Sequence, residues 1–112
     1  MQSVHEYQSP IVVVDALIDI SVDDDLSVAV DLGGLTLVAI QYPSAMTSSN
    51  ATFSVSVDGT NYFLLTGVSS TITVNNQDPL TPAEFAGVRY VKVITDRHEA
   101  ADRTLGLVCR PV

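Results

Sequence analysis

Basic residues are missing from most of this 112-residue sequence, because the first 88 positions contain neither lysine nor arginine. Ten of the thirteen carboxylates lie in that same stretch, and the formal net charge is −8. Affinity for DNA or RNA comes mainly from cations that neutralise phosphates, so this composition excludes nucleic acid as a partner. The five basic residues all fall in the last 24 positions, at Arg89, Lys92, Arg97, Arg103 and Arg110. Acids so far from basic residues in the sequence cannot be neutralised by local ion pairs. Contact with another molecule, a bound cation or plain solvation must balance their charge, and we therefore consider assembly before catalysis.

Tryptophan is absent and cysteine occurs only once. The single Cys109 cannot form an internal disulfide, and its place in the apolar part of a late strand indicates a buried structural thiol. A nucleophilic cysteine would need a histidine beside it, and the sequence places neither His5 nor His98 there. Charged residues make up 16% of the chain, below the roughly 25% of an ordinary globular domain. The low share of charge suggests that a partner covers part of the surface.

Long apolar runs are absent too. Residues 11–14 are apolar but far too few for a signal sequence or a membrane span, and no cation precedes them. We therefore expect a protein that is made and folded in a cytoplasm and has no membrane partner. The sequence also lacks a glycine-rich phosphate loop, metal-ligand spacings and a nucleophile elbow. It predicts a protein that is not an enzyme, with no catalytic residue, no cofactor and no resident metal.

Short segments of alternating apolar and polar residues dominate the sequence, and this is the period of half-buried strands. Asp58-Gly59 between two such runs predicts a hairpin, because glycine adopts positive φ without strain. Thr81-Pro82-Ala83-Glu84 predicts one helical turn near residues 81–86, with Thr81 as N-cap. Strands are expected at about residues 18–23, 26–31, 35–42, 53–57, 62–65, 71–74, 88–95 and 104–110, with a loop at 44–50 and turns at 75–79 and 96–102. About eight short strands predict an all-β fold, an antiparallel β-sandwich of the jelly-roll kind.

The domain prediction is an extended N-terminal arm over residues 1–17 and a single sandwich over residues 18–112. The arm carries apolar side chains that must be buried against something, and a neighbouring copy or a larger partner offers the nearest surface. These predicted assembly contacts are Ile11, Val12, Val13, Val14 and Leu17. The alternative is that residues 11–14 form one more strand of the chain's own sheet.

Three consecutive acids, Asp23, Asp24 and Asp25, are predicted at a turn between strands. Calcium prefers six to eight oxygen ligands, but the spacing here is not that of a calcium-binding loop. A solvated acidic turn is the favoured interpretation, with a cation or a basic partner as the alternatives. In an assembly this turn could face the basic C-terminal strand of a neighbour, where charge pairs set register and encounter rate. Association through such pairs should be sensitive to salt.

Four segments occur in the order found in discoidin-like (coagulation factor 5/8 C-type) jelly rolls and related carbohydrate-binding modules. They are Val30-Asp-Leu-Gly33, Phe53-Ser-Val-Ser-Val-Asp58-Gly59-Thr-Asn-Tyr62, Val88-Arg-Tyr-Val-Lys-Val93 and Leu105-Gly-Leu-Val108. The resemblance implies that these segments are framework and that ligands bind in end loops. As a carbohydrate-binding module, the alternative function, the chain would use loops 42–50 and 60–62, with Tyr42, Asn50, Asn61 and Tyr62 as the contact residues.

Over residues 26–111 the chain more closely resembles small virion proteins of tailed bacteriophages. The resemblance rests on a Val-Asp-Leu-Gly-Gly-Leu strand, a Ser-x-Asp-Gly-Thr-x-Tyr hairpin, a Val-Arg-Tyr-Val-Lys strand and a final Ala-Ala-Asp-Arg-Thr-Leu segment. It implies a capsid decoration or cement protein on the outside of the phage head, a homo-oligomer with a trimer favoured, which binds the major capsid protein and clamps neighbouring subunits. A tail or neck component of similar fold is a further alternative.

Overall fold

The structure, a computed structural model, describes residues 11–111 and consists of two antiparallel sheets. The nine strands are β1 (Val12–Ile18), β2 (Val30–Asp31), β3 (Leu35–Gln41), β4 (Asn50–Ser56), β5 (Phe63–Leu64), β6 (Ser70–Thr71), β7 (Gln77–Pro79), β8 (Tyr90–Thr95) and β9 (Arg103–Pro111). A 3-10 helix, Pro82–Phe85, lies between β7 and β8. No helix among residues 11–111 has the length and apolarity needed to cross a membrane.

The order of the strands is that of a jelly roll. The four-stranded sheet runs β1-β9-β3-β7, the five-stranded sheet contains β2-β8-β4-β5, and β6 pairs with β4. The first strand therefore pairs with the last, β2 with β8, β3 with β7 and β4 with β5, as in a long hairpin rolled into two layers. The predicted all-β, antiparallel sandwich is confirmed, with nine strands where about eight were expected.

The core lies between the two sheets and is built from alternate residues of each strand. Val91 and Val93 of β8 face inward beside Phe53 of β4. The Phe53 ring meets that of Phe85, from the 3-10 helix, edge to face with centroids 5.3 Å apart. Burial of each such ring stabilises the fold by about 1.5–3 kcal/mol. Cys109 is fully buried in this core, as predicted, and burial raises the pKa of its thiol.

A bulge in β3 explains the apolar run between residues 35 and 42. The register with β9 shifts between Leu37 and Ala39, so that Leu37 and Ile40 both reach the core although they are three residues apart. Ala39 lies on the outer face of the sheet and is also buried, between Val108 of β9 and Pro79 of β7. The strand thus buries residues on both of its faces, which accounts for its nearly unbroken apolar run.

The Asp58-Gly59 hairpin is confirmed as well, joining β4 to β5. The Asp58 carboxylate accepts the backbone N–H groups of Thr60 and Asn61 at 2.8 and 2.9 Å. Those bonds hold the pKa of Asp58 well below its usual range. Gly59 has φ +78°, the conformation that favours glycine in this turn.

Several boundary predictions are wrong. Residues 19–23 of the strand predicted at 18–23 form a turn, because the Asp19 carbonyl accepts the N–H groups of Val22 and Asp23. The predicted strand at 26–31 is reduced to β2 and one bridge between Leu26 and Ile94. Residues 77–79 of the predicted turn form β7, since β3 offers them a pairing edge. The helical turn is present, but as a 3-10 helix in which the Thr81 side chain makes no capping bond.

Residues 11–14 were interpreted either as part of an extended arm or as one more strand of the chain's own sheet, and the structure shows a strand at residues 12–14. Val12 to Ile18 form β1, paired antiparallel with β9 from Val12 opposite Cys109 to Ile18 opposite Arg103. Strand pairing and the burial of Ala16 and Ile18 hold this segment in the sheet, so residues 12–17 are not an extended arm. Residues 1–10 of the predicted arm, and residue 112, lie outside the described residues.

Candidate assembly surfaces

The predicted contact residues on β1 lie at the edge of the four-stranded sheet, a surface formed by residues 11–17 that we call the β1 edge. Ile11, Val13 and Leu17 point away from the core and are 62%, 49% and 36% exposed. Val12 is 38% exposed on the opposite face, and Val14 is half-buried there. The sequence prediction therefore picked out an exposed apolar surface, although it lies on a strand of the chain's own sheet.

A second exposed apolar surface lies on β5, at the far edge of the five-stranded sheet. Phe63 and Leu64, the two residues of this β5 edge, are 69% and 57% exposed. The β1 edge belongs to the opposite side of the sandwich, because β1 contacts β2 and the five-stranded sheet runs from β2 through β8 and β4 to β5. Sequence analysis did not single out Phe63 and Leu64 as contact residues. The signal was present, since both follow a turn without an alternating polar residue.

The acidic turn lies against the loop between β8 and β9. The backbone carbonyls of Asp24 and Asp25 accept the N–H groups of Glu99 and Thr95, at 2.7 and 2.9 Å. His98 Nδ1 lies 2.6 Å from Asp24 Oδ1. This hydrogen bond to Asp24, with the nearby charges, raises the pKa of His98 above its usual value. The pKa of Asp25 is raised chiefly by its contact with Asp23.

The side chains of Asp24, Asp25 and His98 come within 4.8 Å of one another. Two carboxylates and one imidazole are too few ligands for calcium, which takes six to eight oxygens. The hydrogen bond between His98 and Asp24 accounts for the geometry. We therefore assign this cluster to the anchoring of the acidic turn.

The five basic residues have different surroundings. Arg89 forms an ion pair with Asp31, Nε to Oδ1 3.1 Å, and its guanidinium lies over the Tyr90 ring. The Lys92 ammonium lies 4.2 Å from the centroid of the Tyr62 ring. Arg97 and Arg110 are exposed, and within residues 11–111 neither takes part in an ion pair. Arg89 thus pairs, inside one molecule, with an acid from the part of the sequence that lacks basic residues.

Arg103 is largely enclosed, with 15% of its side chain exposed. Its Nε bonds Glu99, whose carboxylate also accepts the N–H groups of Thr47 and Ser48 and the Ser48 hydroxyl. Burial opposes ionisation of Glu99, but these donors outweigh it and hold its pKa below the usual value. The cluster ties loop 42–49 to loop 96–102. Sequence analysis missed Glu99, because nothing in a short polar segment distinguishes a buried acid from a solvated one.

The four residues of the carbohydrate-binding alternative do not come together. Tyr42 is 4% exposed, and its hydroxyl donates to Ser70 Oγ at 2.6 Å while Ser70 donates to Asp78. Burial raises the pKa of Tyr42 to about 12. Asn50 begins β4, whereas Asn61 and Tyr62 follow its other end, about 20 Å along a seven-residue strand. The prediction of Tyr42 as a stacking residue is wrong, because its ring lies in the core.

An open depression beside the acidic turn brings together charged and apolar groups. Asp19, Asp23 and Lys92 line it with Val22, Leu26 and Val28. Comparison of the chain with protein-family models, curated proteins and solved structures gave no match.

Proposed function

We propose that this chain is a non-enzymatic structural protein of a phage virion, a capsid decoration or cement protein that stabilises the head by bridging capsid subunits. Its partners would be the major capsid protein and further copies of itself, on the outside of the capsid. The proposal joins the resemblance over residues 26–111 to the surfaces of the folded chain.

The observation that carries the proposal is the presence of two apolar edges on opposite sides of one small sandwich. A cement protein needs at least two binding surfaces that face different ways, because one surface alone coats a shell without linking its parts. Burial of apolar area at both contacts must be reversed before the linked subunits separate, which raises the free energy of separation. We assign the β5 edge, Phe63 and Leu64, to the capsid and the β1 edge to a second copy.

The resemblance implies a homo-oligomer with a trimer favoured. A three-fold contact would be heterologous and would use two different surfaces of each copy. The mass of the purified protein in solution tests the number of copies directly. The position of the coding sequence beside that of a major capsid protein would support the head assignment.

The capsid contact is tested with heads of the encoding phage that lack this protein. Purified protein should sediment with these heads and raise the temperature at which they release DNA. Phe63→Ser combined with Leu64→Ser should abolish sedimentation, because it removes the apolar area of the β5 edge. The matched control is Val22→Ser combined with Val74→Ser, two exposed apolar residues away from both edges. Wild-type protein that leaves the heads and their melting unchanged would refute the proposal.

Two other functions give different results in such experiments. A carbohydrate-binding module would bind a glycan array through the exposed Asn61 and the half-buried Tyr62, whose ring lies beside Lys92. A tail or neck protein would leave isolated heads bare. Imaging of particles with and without the protein would show density lost from the tail instead of the shell.

A further inference from the structure

The edges of the two sheets differ in how well they are protected against pairing with another strand. Natural sheets protect their edges with short strands, proline, lysine or bulges. β2 and β5 have two residues each, and β7 has three and includes Pro79. β1 has seven residues, and the β1 edge contains no proline and no lysine and a single charge, Asp15. β1 is therefore the long and apolar edge among the described residues.

The direction of the backbone groups shows which residues of β1 are available. The Leu17 carbonyl accepts the Val28 N–H at 2.8 Å, on the side of β1 that faces away from β9. Backbone groups of an antiparallel strand alternate in direction, so those of Asp15, Val13 and Ile11 point to the same side as those of Leu17. Within residues 11–111 no strand pairs with β1 on that side.

We propose that the β1 edges of two copies pair antiparallel about a two-fold axis at Val13. Val13 then lies opposite the partner's Val13, and Ile11 lies opposite the partner's Asp15. This register uses the three residues whose backbone groups point outward, and it ends where the Leu17 carbonyl is already bonded. The two four-stranded sheets become one sheet of eight strands, with Val12 packed against the partner's Val14 on the inner face.

Charge complementarity supports a second copy as the partner. Asp15 and Arg110 lie on the outer face of the same sheet, and among the described residues neither forms an ion pair. Within one chain they are far apart, since Asp15 lies opposite Gly106, four residues from Arg110 along β9. In the dimer Asp15 lies beside the partner's Ile11. The partner's Arg110 lies on the other side of that Ile11, on the next strand of the partner's sheet, β9. Two strand spacings are about 10 Å, a gap that the long arginine side chain can close over Ile11.

Other arrangements of the edge are less favourable. A two-fold axis at Asp15 would place two carboxylates directly opposite each other, which destabilises a strand pair. Head-to-tail pairing with β7 would meet a three-residue strand in which Pro79 has no N–H to donate. The dimer does not rest on the virion function, and a three-fold contact would have to use another surface of the sandwich.

Sedimentation of the full-length protein over about 1 µM to 1 mM tests the dimer and its register. The mass should rise from one copy to two, and added salt should weaken the association. Arg110→Glu should raise the Kd at least about tenfold, because it replaces two symmetric attractions with repulsions. Arg97→Glu makes the same charge change elsewhere and should leave the Kd unchanged. Asp15→Arg combined with Arg110→Asp should restore dimerisation.

A cysteine at the proposed axis tests the geometry without relying on charge. Val13→Cys should form a disulfide between two copies under mild oxidation, because the Cα atoms of residues facing each other in a hydrogen-bonded pair are about 5.5 Å apart. Val57→Cys, at a residue that is 73% exposed in the hairpin turn, should not. The proposal is overturned by a single copy throughout the concentration range, by equal effects of Arg110→Glu and Arg97→Glu, or by a dimer that Val13→Cys fails to cross-link. None of these results depends on capsid binding.

Discussion

Arg103 places its Nε 2.9 Å from Oε1 of Glu99, four residues earlier in the chain. Both side chains are largely enclosed, with 15% and 0% exposure. An enclosed charge pair is costly to break, because the remaining charge loses its partner without regaining water. The pair also holds two loops together, so we expect its loss to destabilise the whole end of the sandwich.

Glu99→Gln should lower the free energy of unfolding by about 2–4 kcal/mol, since an amide cannot accept from all the donors that surround the carboxylate. Urea unfolding at neutral pH measures the change. Glu84→Gln is the matched control, because Glu84 is exposed on the 3-10 helix and should change stability by less than about 0.5 kcal/mol. Equal effects of the two substitutions would contradict the role given to Glu99.

The contact between His98 and Asp24 should make stability depend on pH. The pKa of His98 is raised in the folded chain, chiefly by its hydrogen bond to Asp24. The stabilisation is therefore fully present below the unfolded pKa of about 6.5 and is lost as the pH rises through the higher folded pKa. Urea midpoints at pH 5.5 and 8.5 should differ less for His98→Gln than for the wild type.

NMR provides the direct check on the same contact. The His98 ring proton should titrate above the usual histidine value, and Asp24→Asn should move its pKa back toward it. Asp78→Asn, which alters an acid bonded to Ser70, should leave the titration unchanged. A His98 titration that Asp24→Asn does not affect would remove the basis for the pH dependence.

Gly59→Ala should destabilise the chain more than Gly33→Ala. Both glycines have positive φ, +78° and +60°, so alanine is strained at either by about 1–2 kcal/mol. A Cβ at Gly59 would also lie 3.2 Å from the Tyr90 ring, whereas nothing lies within 4 Å of one at Gly33. Urea unfolding of both variants isolates the cost of the ring contact. An equal loss would mean that the ring moves freely.

The extent to which the sequence predicts the fold depends on how local each signal is. The hairpin at Asp58-Gly59 and the strand at residues 35–42, observed as β3, depend on neighbouring residues alone, and both were predicted. Residues 18–23 alternate like a strand, but Asp19 accepts the Ser21 N–H and hydroxyl and fixes a turn instead. β7 shows the opposite case, because pairing with β3, distant in sequence, overrides turn-forming residues.

The same distinction between local and long-range signals applies to the candidate surfaces. The apolar residues of β1 were identifiable from the sequence, but their position on an edge strand depends on pairing with β9, whose residues lie 85 to 97 positions later. Tyr42 gives no local indication of burial, and the partner of its buried hydroxyl, Ser70, lies 28 positions later. The contact of His98 with Asp24 spans 74 positions and likewise could not be predicted from local sequence.

The central place of β9, between β1 and β3, also determines the order in which the molecule can form. A nascent chain that has left the ribosome only as far as residue 102 has β1 and β3 but lacks the strand that joins them. Contacts so distant in sequence also slow folding. Until synthesis reaches β9, two apolar strands stay open to other chains, and we expect them to need a chaperone during translation.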